Sequence, residues 1–403
     1  MTASSIADAS EERPLRCLHY LDAFHVERGG VVRAVLDLVG GLAAAGVSMK
    51  VVTGDPADIP ADWRTPGGGA GTPRVEVIDR RVTPLFHARC DPDTLARLVV
   101  DVDVVHLHTP WDPFNRPLAA AATQAGKPYL MTTHGMLDDW CLASKAFKKH
   151  AYLSLGGRTL LRNAAALHFT AESEAAQSMR RVPGAKSIVI PLALDTRPFR
   201  ELVGAEAARA AYPDAFADEA PRLLFVGRVH PIKGLDTLID ALAKLKAEGG
   251  PQAHLLIAGP ADDEYADQFR ARVTNAGLDD RVHLLGMVEG EVKQSLYQAA
   301  DAFVLPSHHE SFGIALAEAM MCGSAVLTTR GVNVWPEIEK FGGLVVEHTV
   351  AELTSGLEEL LTHLPDRKAT AAANRQTVLD WVDQHRVTQQ YIAAYRAAIR
   401  GEL

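Results

Sequence analysis

The stretch "RLLFVGRVHPIKGLDTLIDAL" (residues 222–242) joins an apolar run to a segment of helical periodicity through a turn that carries two cations. The run RLLFV has the length and composition of a buried strand. After the turn, leucine and isoleucine recur at three- and four-residue intervals, as on one face of a helix. A strand, a turn and a helix in this order form the repeating unit of a parallel α/β sheet.

The same unit recurs along the chain. In the first half, apolar runs alternate with helical segments at 16–21, 49–53, 75–78, 102–108, 129–135, 166–171 and 187–192. After a polar, acidic stretch the pattern restarts at 222–228, 254–259, 282–286, 302–307 and 325–329. The length of 403 residues fits two domains of roughly 150 to 200 residues each. The sequence therefore predicts an α/β protein with two doubly wound, Rossmann-like domains that face each other across a cleft.

The segment "PLALDTRPFR" (191–200) carries two prolines and lacks periodicity, as expected of an interdomain connection. The predicted domains are residues 1–193 and 194–383. No strand is predicted from about residue 350 onward, and residues 384–403 are expected to form a C-terminal helix.

Composition excludes several classes of protein. Hydrophobic residues make up 47% of the chain and charged residues 23%, as in soluble globular proteins, and the net charge of −9 argues against nucleic-acid binding. The four cysteines form no CxxC pair, which favours a reduced chain. The polar start "MTASSIADASEERPLR" and the lack of a long apolar run predict neither a signal peptide nor a membrane span. We therefore expect a cytoplasmic protein.

Two turns after predicted strands suit phosphate groups. In "ERGG" (27–30), Gly29 and Gly30 would let backbone amides approach a phosphate at the start of a helix, although a tight turn explains the pair equally well. Arg228 and Lys233 converge on one turn at a strand end, which favours a pyrophosphate over a merely solvated surface.

The stretch "HESFGIALAE" (309–318) places Glu310 before and Glu318 within a predicted helix. The amides of Phe312, Gly313 and Ile314 at the helix start could bind a phosphate, and carboxylates on either side could bind hydroxyls. A nucleotide sugar, with a sugar on each side of a diphosphate, fits this arrangement. Glu318 could instead be an ordinary solvated helix residue, but its neighbours are apolar.

Histidines provide the remaining candidates. His134 follows a predicted strand, where it could donate a hydrogen bond, transfer a proton, or be a structural histidine. His106 and His108 share one face of a strand, but a metal would need further ligands and none is identified. We therefore predict no metal site.

Together, "ERGG", "THGM" (133–136), "FVGRVHPIKGLD" (225–236) and "HESFGIALAE" closely resemble the retaining family-4 glycosyltransferases of the GT-B fold. The resemblance implies that Glu310 binds the donor sugar and Glu318 the ribose. It further implies a role for His134 beside the reacting sugar, and diphosphate or donor contacts for Gly29, Gly30, Arg228, Lys233, Ser311, Phe312, Gly313 and Ile314.

The region around "THGMLDDW" (133–140) is similar to members that build exopolysaccharide or lipopolysaccharide. This likeness implies transfer from a UDP- or GDP-linked sugar to a saccharide or lipid-linked acceptor. It also implies an acceptor-side N-terminal domain, a donor-side C-terminal domain, no cofactor or metal, front-side attack with retention, and a last helix that crosses back onto the N-terminal domain. His309 departs from the residues common before the first glutamate.

Three other functions share some of these features with sugar transfer. A nucleotide-sugar epimerase on the same architecture would also bind a sugar nucleotide. A glycoside hydrolase would use Glu310 and Glu318 as acid and nucleophile, but it has no need of Arg228 and Lys233. A periplasmic sugar-binding protein would require a signal peptide and no phosphate site.

A cluster of basic residues bears on whether the protein contacts a membrane. It comprises Lys145, Lys148, Lys149, Arg158 and Arg162. Such a cluster could contact anionic lipid headgroups at the inner face of the membrane, or it could form a solvated helix face.

Overall fold

The structure is a computed structural model that describes residues 13–403 except 66–70, 80, 84–86, 144–145 and 262. Lys145 of the basic cluster thus lies outside the described residues. Along the chain, strands and helices are interspersed from residue 16 to residue 346. Three helices follow one another after that point.

Fifteen strands occur in the described part of the chain. In chain order they are β1 Arg16–Tyr20, β2 Ser48–Thr53, β3 Arg74–Val77, β4 Arg81–Thr83, β5 His87–Arg89, β6 Val104–His108, β7 Tyr129–Thr132, β8 Ala166–Phe169, β9 Ser187–Val189, β10 Arg222–Val226, β11 His254–Ala258, β12 Val282–Gly286, β13 Ala302–Leu305, β14 Ala325–Thr329 and β15 Leu344–Val346.

Sixteen α-helices occur in the same part of the chain. They are α1 Gly30–Ala44, α2 Pro92–Val100, α3 Asn115–Gln124, α4 Asp139–Ala143, α5 Ala146–Tyr152, α6 Arg158–Arg162, α7 Glu172–Met179, α8 Glu206–Ala211, α9 Leu235–Ala247, α10 Asp263–Asn275, α11 Gly290–Ala299, α12 Ile314–Met321, α13 Trp335–Lys340, α14 Val350–Thr362, α15 Leu364–Val382 and α16 Gln384–Arg400.

The strands form two large sheets and a small antiparallel pair. The first sheet has the order β3-β2-β1-β6-β7-β8-β9, and the second has the order β12-β11-β10-β13-β14-β15. In the second sheet every neighbouring pair is parallel, and β10 sits between β11 and β13. Strands β4 and β5 pair antiparallel. The predicted α/β class with two parallel sheets is confirmed.

Burial explains why these segments form strands and helices. The residues of β6, β11, β13 and β14 are buried along their whole length, as expected of central parallel strands covered by helices. On α9, Leu235, Leu238, Ile239, Leu242 and Leu245 are buried and lie on one face of the helix. Residues 222–242 therefore fold as the expected strand, turn and helix.

Contacts divide the chain into two compact units. The first contains residues 1–132, 150–167 and 388–403, and the second contains residues 133–149 and 168–387. The second unit thus includes the loop after β7 together with the second sheet. The proposed boundary near residue 194 stays a prediction.

Candidate functional site

The turn after β10 places the predicted cationic pair. Arg228 follows the strand and is exposed, whereas Lys233 ends a short 3-10 helix and its side chain is only 17% exposed. Gly234 caps this turn at φ 66°, and a Cβ there would lie 2.1 Å from the carbonyl oxygen of Pro306. Only glycine permits so close an approach, so the turn carrying Lys233 is held against the end of β13.

Glu310 lies in the loop after β13, and its backbone is fixed from both sides. Its amide donates to the carbonyl of Gly331 at 2.9 Å, and its carbonyl accepts from the amide of Asn333 at 2.9 Å. The Glu310 carboxylate forms an ion pair with the Lys233 ammonium. Two residues that the sequence assigned to the sugar and to the diphosphate of one ligand are therefore in direct contact.

Helix α12 begins directly after this loop. Gly313 precedes it at φ 78°, and the amides of Leu316 and Ala317 donate to the Gly313 carbonyl at 2.9 and 3.1 Å. The amides at the start of the helix have no acceptor within it and carry the positive end of its dipole. Phe312 is buried with its ring 5.1 Å from that of Trp381, which anchors the helix start.

Glu318 is held on α12 by two residues of α11. Its Oε2 accepts from the hydroxyl of Tyr297 at 2.8 Å and pairs with the ammonium of Lys293 at 2.6 Å. Burial and the neighbouring carboxylate raise the pKa of Tyr297, so its hydroxyl remains a donor. Glu318 is not a solvated helix residue, since its side chain is 14% exposed.

His134 lies in the loop after β7 with φ 51°, a left-handed conformation that is uncommon outside glycine. It is 9% exposed, and burial together with the nearby His168 lowers its pKa to about 3. His134 is therefore a neutral imidazole near pH 7. It can exchange hydrogen bonds but carries no charge.

Residues beside His134 are fixed by a buried carboxylate on α7. Glu174 accepts from the hydroxyl of Thr133 at 2.9 Å, from the amide of Gly135 at 2.6 Å, and from both the amide and the hydroxyl of Thr170 at 2.9 Å. A Cβ on Gly135 would lie 2.8 Å from Cβ of Ser311. The His134 loop and the Glu310 loop are thus packed together in the second unit.

A cluster that sequence reasoning missed lies at the same place. His309 Nδ1 lies 2.7 Å from Asp138 Oδ2, and His309 Nε2 lies 3.5 Å from Cys141 Sγ. The ring of Trp140 stacks on His309 with centroids 5.4 Å apart. Burial acts to lower the pKa of His309, but the Asp138 carboxylate and Cys141 raise it to about 10.

The first unit holds Gly29 and Gly30, which lie where α1 begins, and a second histidine cluster. His19 on β1 joins His106 and His108 on β6, and all three are buried. His19 Nδ1 lies 3.1 Å from His108 Nε2, and the Tyr395 hydroxyl of α16 lies 2.6 Å from His106 Nδ1 and 3.1 Å from His19 Nε2. Burial lowers the pKa of His19 to about 3. The cluster is a hydrogen-bonded network of imidazoles.

Sequence reasoning identified Lys233, Glu310 and Glu318 but not their surroundings. Lys293 and Tyr297 are four residues apart on α11 and so share a face, a spacing that was available as a signal. Asp138, Cys141 and His309 come from distant segments, and no local pattern connects them. Within the described residues, no helix is both long and apolar enough to cross a membrane.

Comparisons with known proteins define the class. A model of the group 1 glycosyl transferases matches residues 212–377, and a model of a glycosyl transferase 4-like domain matches residues 29–193. Among solved structures, sucrose-phosphate synthase from Thermosynechococcus elongatus superposes with a TM-score of 0.74 at 22% identity, covering 96% of this chain and 99% of that one. Anabaena HepE in complex with UDP-glucose superposes with a TM-score of 0.73 at 18% identity, covering 95% of this chain and 100% of that one. The fold is therefore GT-B.

A curated relative narrows the class to a family. The D-inositol 3-phosphate glycosyltransferase of Saccharomonospora viridis is 30% identical over 292 residues, which cover 68% of this chain and 67% of the relative. The D-inositol 3-phosphate glycosyltransferase of Actinosynnema mirum is 30% identical over 224 residues. These residues cover 53% of this chain and 52% of that protein. The chain belongs to the family-4 glycosyltransferases. It is a glycosyltransferase, as its motifs predicted.

Proposed function

We propose that this enzyme transfers a sugar, with retention of anomeric configuration, from a UDP- or GDP-linked donor to a saccharide or lipid-linked saccharide in cell-surface polysaccharide synthesis. The observation that carries the proposal is the ion pair between Lys233 and Glu310 beside the start of α12. A cation, a carboxylate and free helix amides at one point match a diphosphate joined to a sugar. The bound UDP-glucose of HepE, a protein of the same fold, supports this choice of donor.

Each end of the donor has a carboxylate in this proposal. Glu310 binds hydroxyls of the transferred sugar, and Glu318 binds those of the ribose. Lys293 and Tyr297 hold the Glu318 carboxylate in place through bonds of 2.6 and 2.8 Å. Lys233 shifts from its partner Glu310 toward the diphosphate when the donor binds.

The leaving nucleoside diphosphate gains negative charge as the glycosidic bond breaks. Arg228, Lys233 and the amides of Phe312 to Ile314 offset that charge, with no cofactor or metal in the proposed mechanism. The acceptor hydroxyl attacks from the face that the diphosphate leaves, and the departing phosphate oxygen takes its proton. This front-side path accounts for retention without a carboxylate nucleophile.

His134 acts in this mechanism as a neutral group. With its pKa lowered to about 3 by burial and by His168, it carries no positive charge for the leaving phosphate near pH 7. It positions the reacting sugar through a hydrogen bond. The left-handed backbone at His134 and the Glu174 bonds to its neighbours hold the ring in place.

Surface features of α5 support peripheral contact with the membrane, where a lipid-linked acceptor would reside. The Phe147 side chain is 87% exposed, and Lys148 beside it is also exposed. An aromatic residue that inserts between headgroups, flanked by a cation that attracts anionic lipids, is a common membrane anchor. The proposed location is the cytoplasmic face of the membrane, with no nucleic-acid partner.

The donor is tested by thermal stabilisation with a panel of UDP-, GDP- and ADP-sugars, because a ligand that binds the folded protein raises its Tm. The stabilising donor is then incubated with saccharide acceptors, and the product's anomeric configuration is determined by NMR. We expect an acceptor-dependent product with the donor's configuration. Interconversion of the sugar without an acceptor would instead indicate an epimerase, and cleavage of oligosaccharides without nucleotide would indicate a hydrolase.

Membrane contact is tested by sedimentation with vesicles of phosphatidylglycerol and phosphatidylcholine. Phe147→Ser should lower the bound fraction, and binding should weaken with added salt. The control must be an exposed apolar residue, as Phe147 is. Val100 of α2 is exposed and is changed to Ser, whereas Phe269 is buried and is unsuitable. Equal binding of wild type and Phe147→Ser would contradict the proposed contact.

A further inference from the structure

Cys141 lies in an arrangement that differs from those of the other three cysteines. It is partly exposed on α4, and its sulfur is 3.5 Å from Nε2 of His309. Cys17 and Cys322 are buried, and burial raises the pKa of each. Cys90 is partly exposed like Cys141, and burial raises its pKa too.

His309 is oriented toward the sulfur by Asp138. The Asp138 carboxylate is 2% exposed, and its Oδ2 lies 2.7 Å from His309 Nδ1. Its other oxygen accepts the backbone amide of Cys141 at 2.8 Å. One carboxylate thus fixes both the imidazole and the helix turn that carries the thiol. Trp140 stacks on the ring and restricts its rotation.

The contacts of the two His309 ring nitrogens distinguish a metal site from a hydrogen-bonded chain that activates the thiol. A metal held by all three residues would need the carboxylate and the sulfur on the same side of the imidazole, around a single nitrogen. Here the three side chains bring ligand atoms within 4.8 Å of one another, but Asp138 meets Nδ1 and Cys141 meets Nε2, so they are not gathered around a single nitrogen. The geometry is that of a nucleophile, a base and an orienting acid.

Two cations and one carboxylate lie near Cys141. His309 keeps its proton near pH 7, since its pKa is raised to about 10. The Lys149 ammonium of α5 contacts the backbone carbonyl of Cys141. A carboxylate oxygen of Asp138 also lies within 4.8 Å of the sulfur. Cations beside a cysteine stabilise the thiolate, which is the nucleophilic form.

We propose that Cys141 is a nucleophilic thiol activated by the Asp138–His309 pair and a site of covalent modification by hydrogen peroxide and other small electrophiles. The sulfur attacks one peroxide oxygen, so that an S–O bond forms and the O–O bond breaks. The released hydroxide takes the His309 proton and leaves as water. Cys141 is oxidised to a sulfenic acid and the peroxide is reduced.

Modification of Cys141 affects the loop that carries Glu310, because the thiol lies against His309. His309 immediately precedes Glu310, whose carboxylate pairs with Lys233. Loss of the His309 proton and the added oxygen on Cys141 alter the loop that carries Glu310. Thiol reactivity itself does not depend on the proposed function and is measured without any donor sugar.

The test is alkylation of the full chain by limiting iodoacetamide at about pH 7, with each cysteine quantified by peptide mass spectrometry. We expect Cys141 to react at least about tenfold faster than Cys90, the partly exposed reference within the same chain. His309→Gln should slow Cys141 about tenfold and leave Cys90 unchanged. His308→Gln, at the neighbouring exposed position, is the matched control and should change neither rate.

A second measurement uses the unsubstituted protein. As pH falls from about 8 to about 6, the ratio of the Cys141 rate to the Cys90 rate should rise, because the protonated His309 lies 3.5 Å from the Cys141 sulfur, whereas burial raises the pKa of Cys90. After peroxide treatment, dimedone should label Cys141 in the wild type but not in His309→Gln. Equal rates for Cys141 and Cys90, a ratio that does not change with pH, or no dimedone adduct would each overturn the proposal.

Discussion

Lys233 and Glu310, 77 residues apart in the sequence, form an ion pair in the second compact unit. Both side chains are largely buried, at 17% and 22% exposure. Removing either partner leaves the other charge poorly solvated and removes one proposed contact to the donor. The pair therefore links the proposed sugar and diphosphate sites.

Lys233→Ala and Glu310→Ala should each lower turnover about tenfold or more, since each removes a charged contact of roughly 1.5 to 3 kcal/mol. Initial rates with the stabilising donor measure the effect. Lys244→Ala, on the exposed face of α9, is the matched control and should keep wild-type turnover. Near wild-type activity in a folded Lys233→Ala or Glu310→Ala variant would rule out the assigned role.

Tyr297→Phe tests the positioning of Glu318. The hydroxyl donates a 2.8 Å bond to that carboxylate, while Lys293 retains its own contact. We expect the donor KM to rise by roughly three- to tenfold, about 1 kcal/mol, with kcat nearly unchanged. Steady-state kinetics with varied donor measure both constants. A fall in kcat at constant KM would place Tyr297 elsewhere in the mechanism.

Tyr395→Phe should destabilise the first unit. The hydroxyl is a hydrogen-bond partner of both His106 and His19, and Tyr395 is fully buried. Its loss should reduce the free energy of unfolding by about 1 to 3 kcal/mol, measured by urea denaturation. Tyr212→Phe removes a half-exposed hydroxyl with a 3.4 Å contact and should cost much less. Equal losses of unfolding free energy in Tyr395→Phe and Tyr212→Phe would argue against a stabilising role for the histidine network.

The His309–Asp138 pair should make the free energy of unfolding fall as pH rises into the alkaline range. Its imidazole has a pKa of about 10 in the folded protein, above the ordinary value of 6.5. The stabilisation is therefore fully present below about pH 6.5 and is lost as pH rises through about 10. The difference in unfolding free energy between wild type and His309→Gln should shrink between about pH 6 and pH 10, by at most a few kcal/mol. A difference that stays constant would mean that His309 is not charged in the folded state.

Much of the fold was predictable because buried parallel strands are continuous apolar runs. The runs at 222–228, 254–259 and 325–329 became β10, β11 and β14 with ends displaced by at most two residues. Strand β15 was missed because it has three half-buried residues after a Gly-Gly pair. The antiparallel pair β4 and β5 was missed because each strand has three residues.

The site was predictable only where several chemical groups cluster in a short segment. The stretch 309–318 carries two carboxylates and a helix start within ten residues, so local pattern alone predicts a ligand-binding role for it. His309 was noted only as a departure from the family. Its partner Cys141 is 168 residues away, and only tertiary packing brings the two together.

The Tyr395 contact also bears on how the chain folds during synthesis. His19 and Tyr395 are 376 positions apart, yet they meet in the interior of one compact unit. Domains are generally expected to fold in order as they leave the ribosome. Here strand β1 cannot complete this contact until helix α16, which is translated much later, has been made. The nascent N-terminal sheet consequently exposes an incomplete histidine cluster while the entire second sheet is translated.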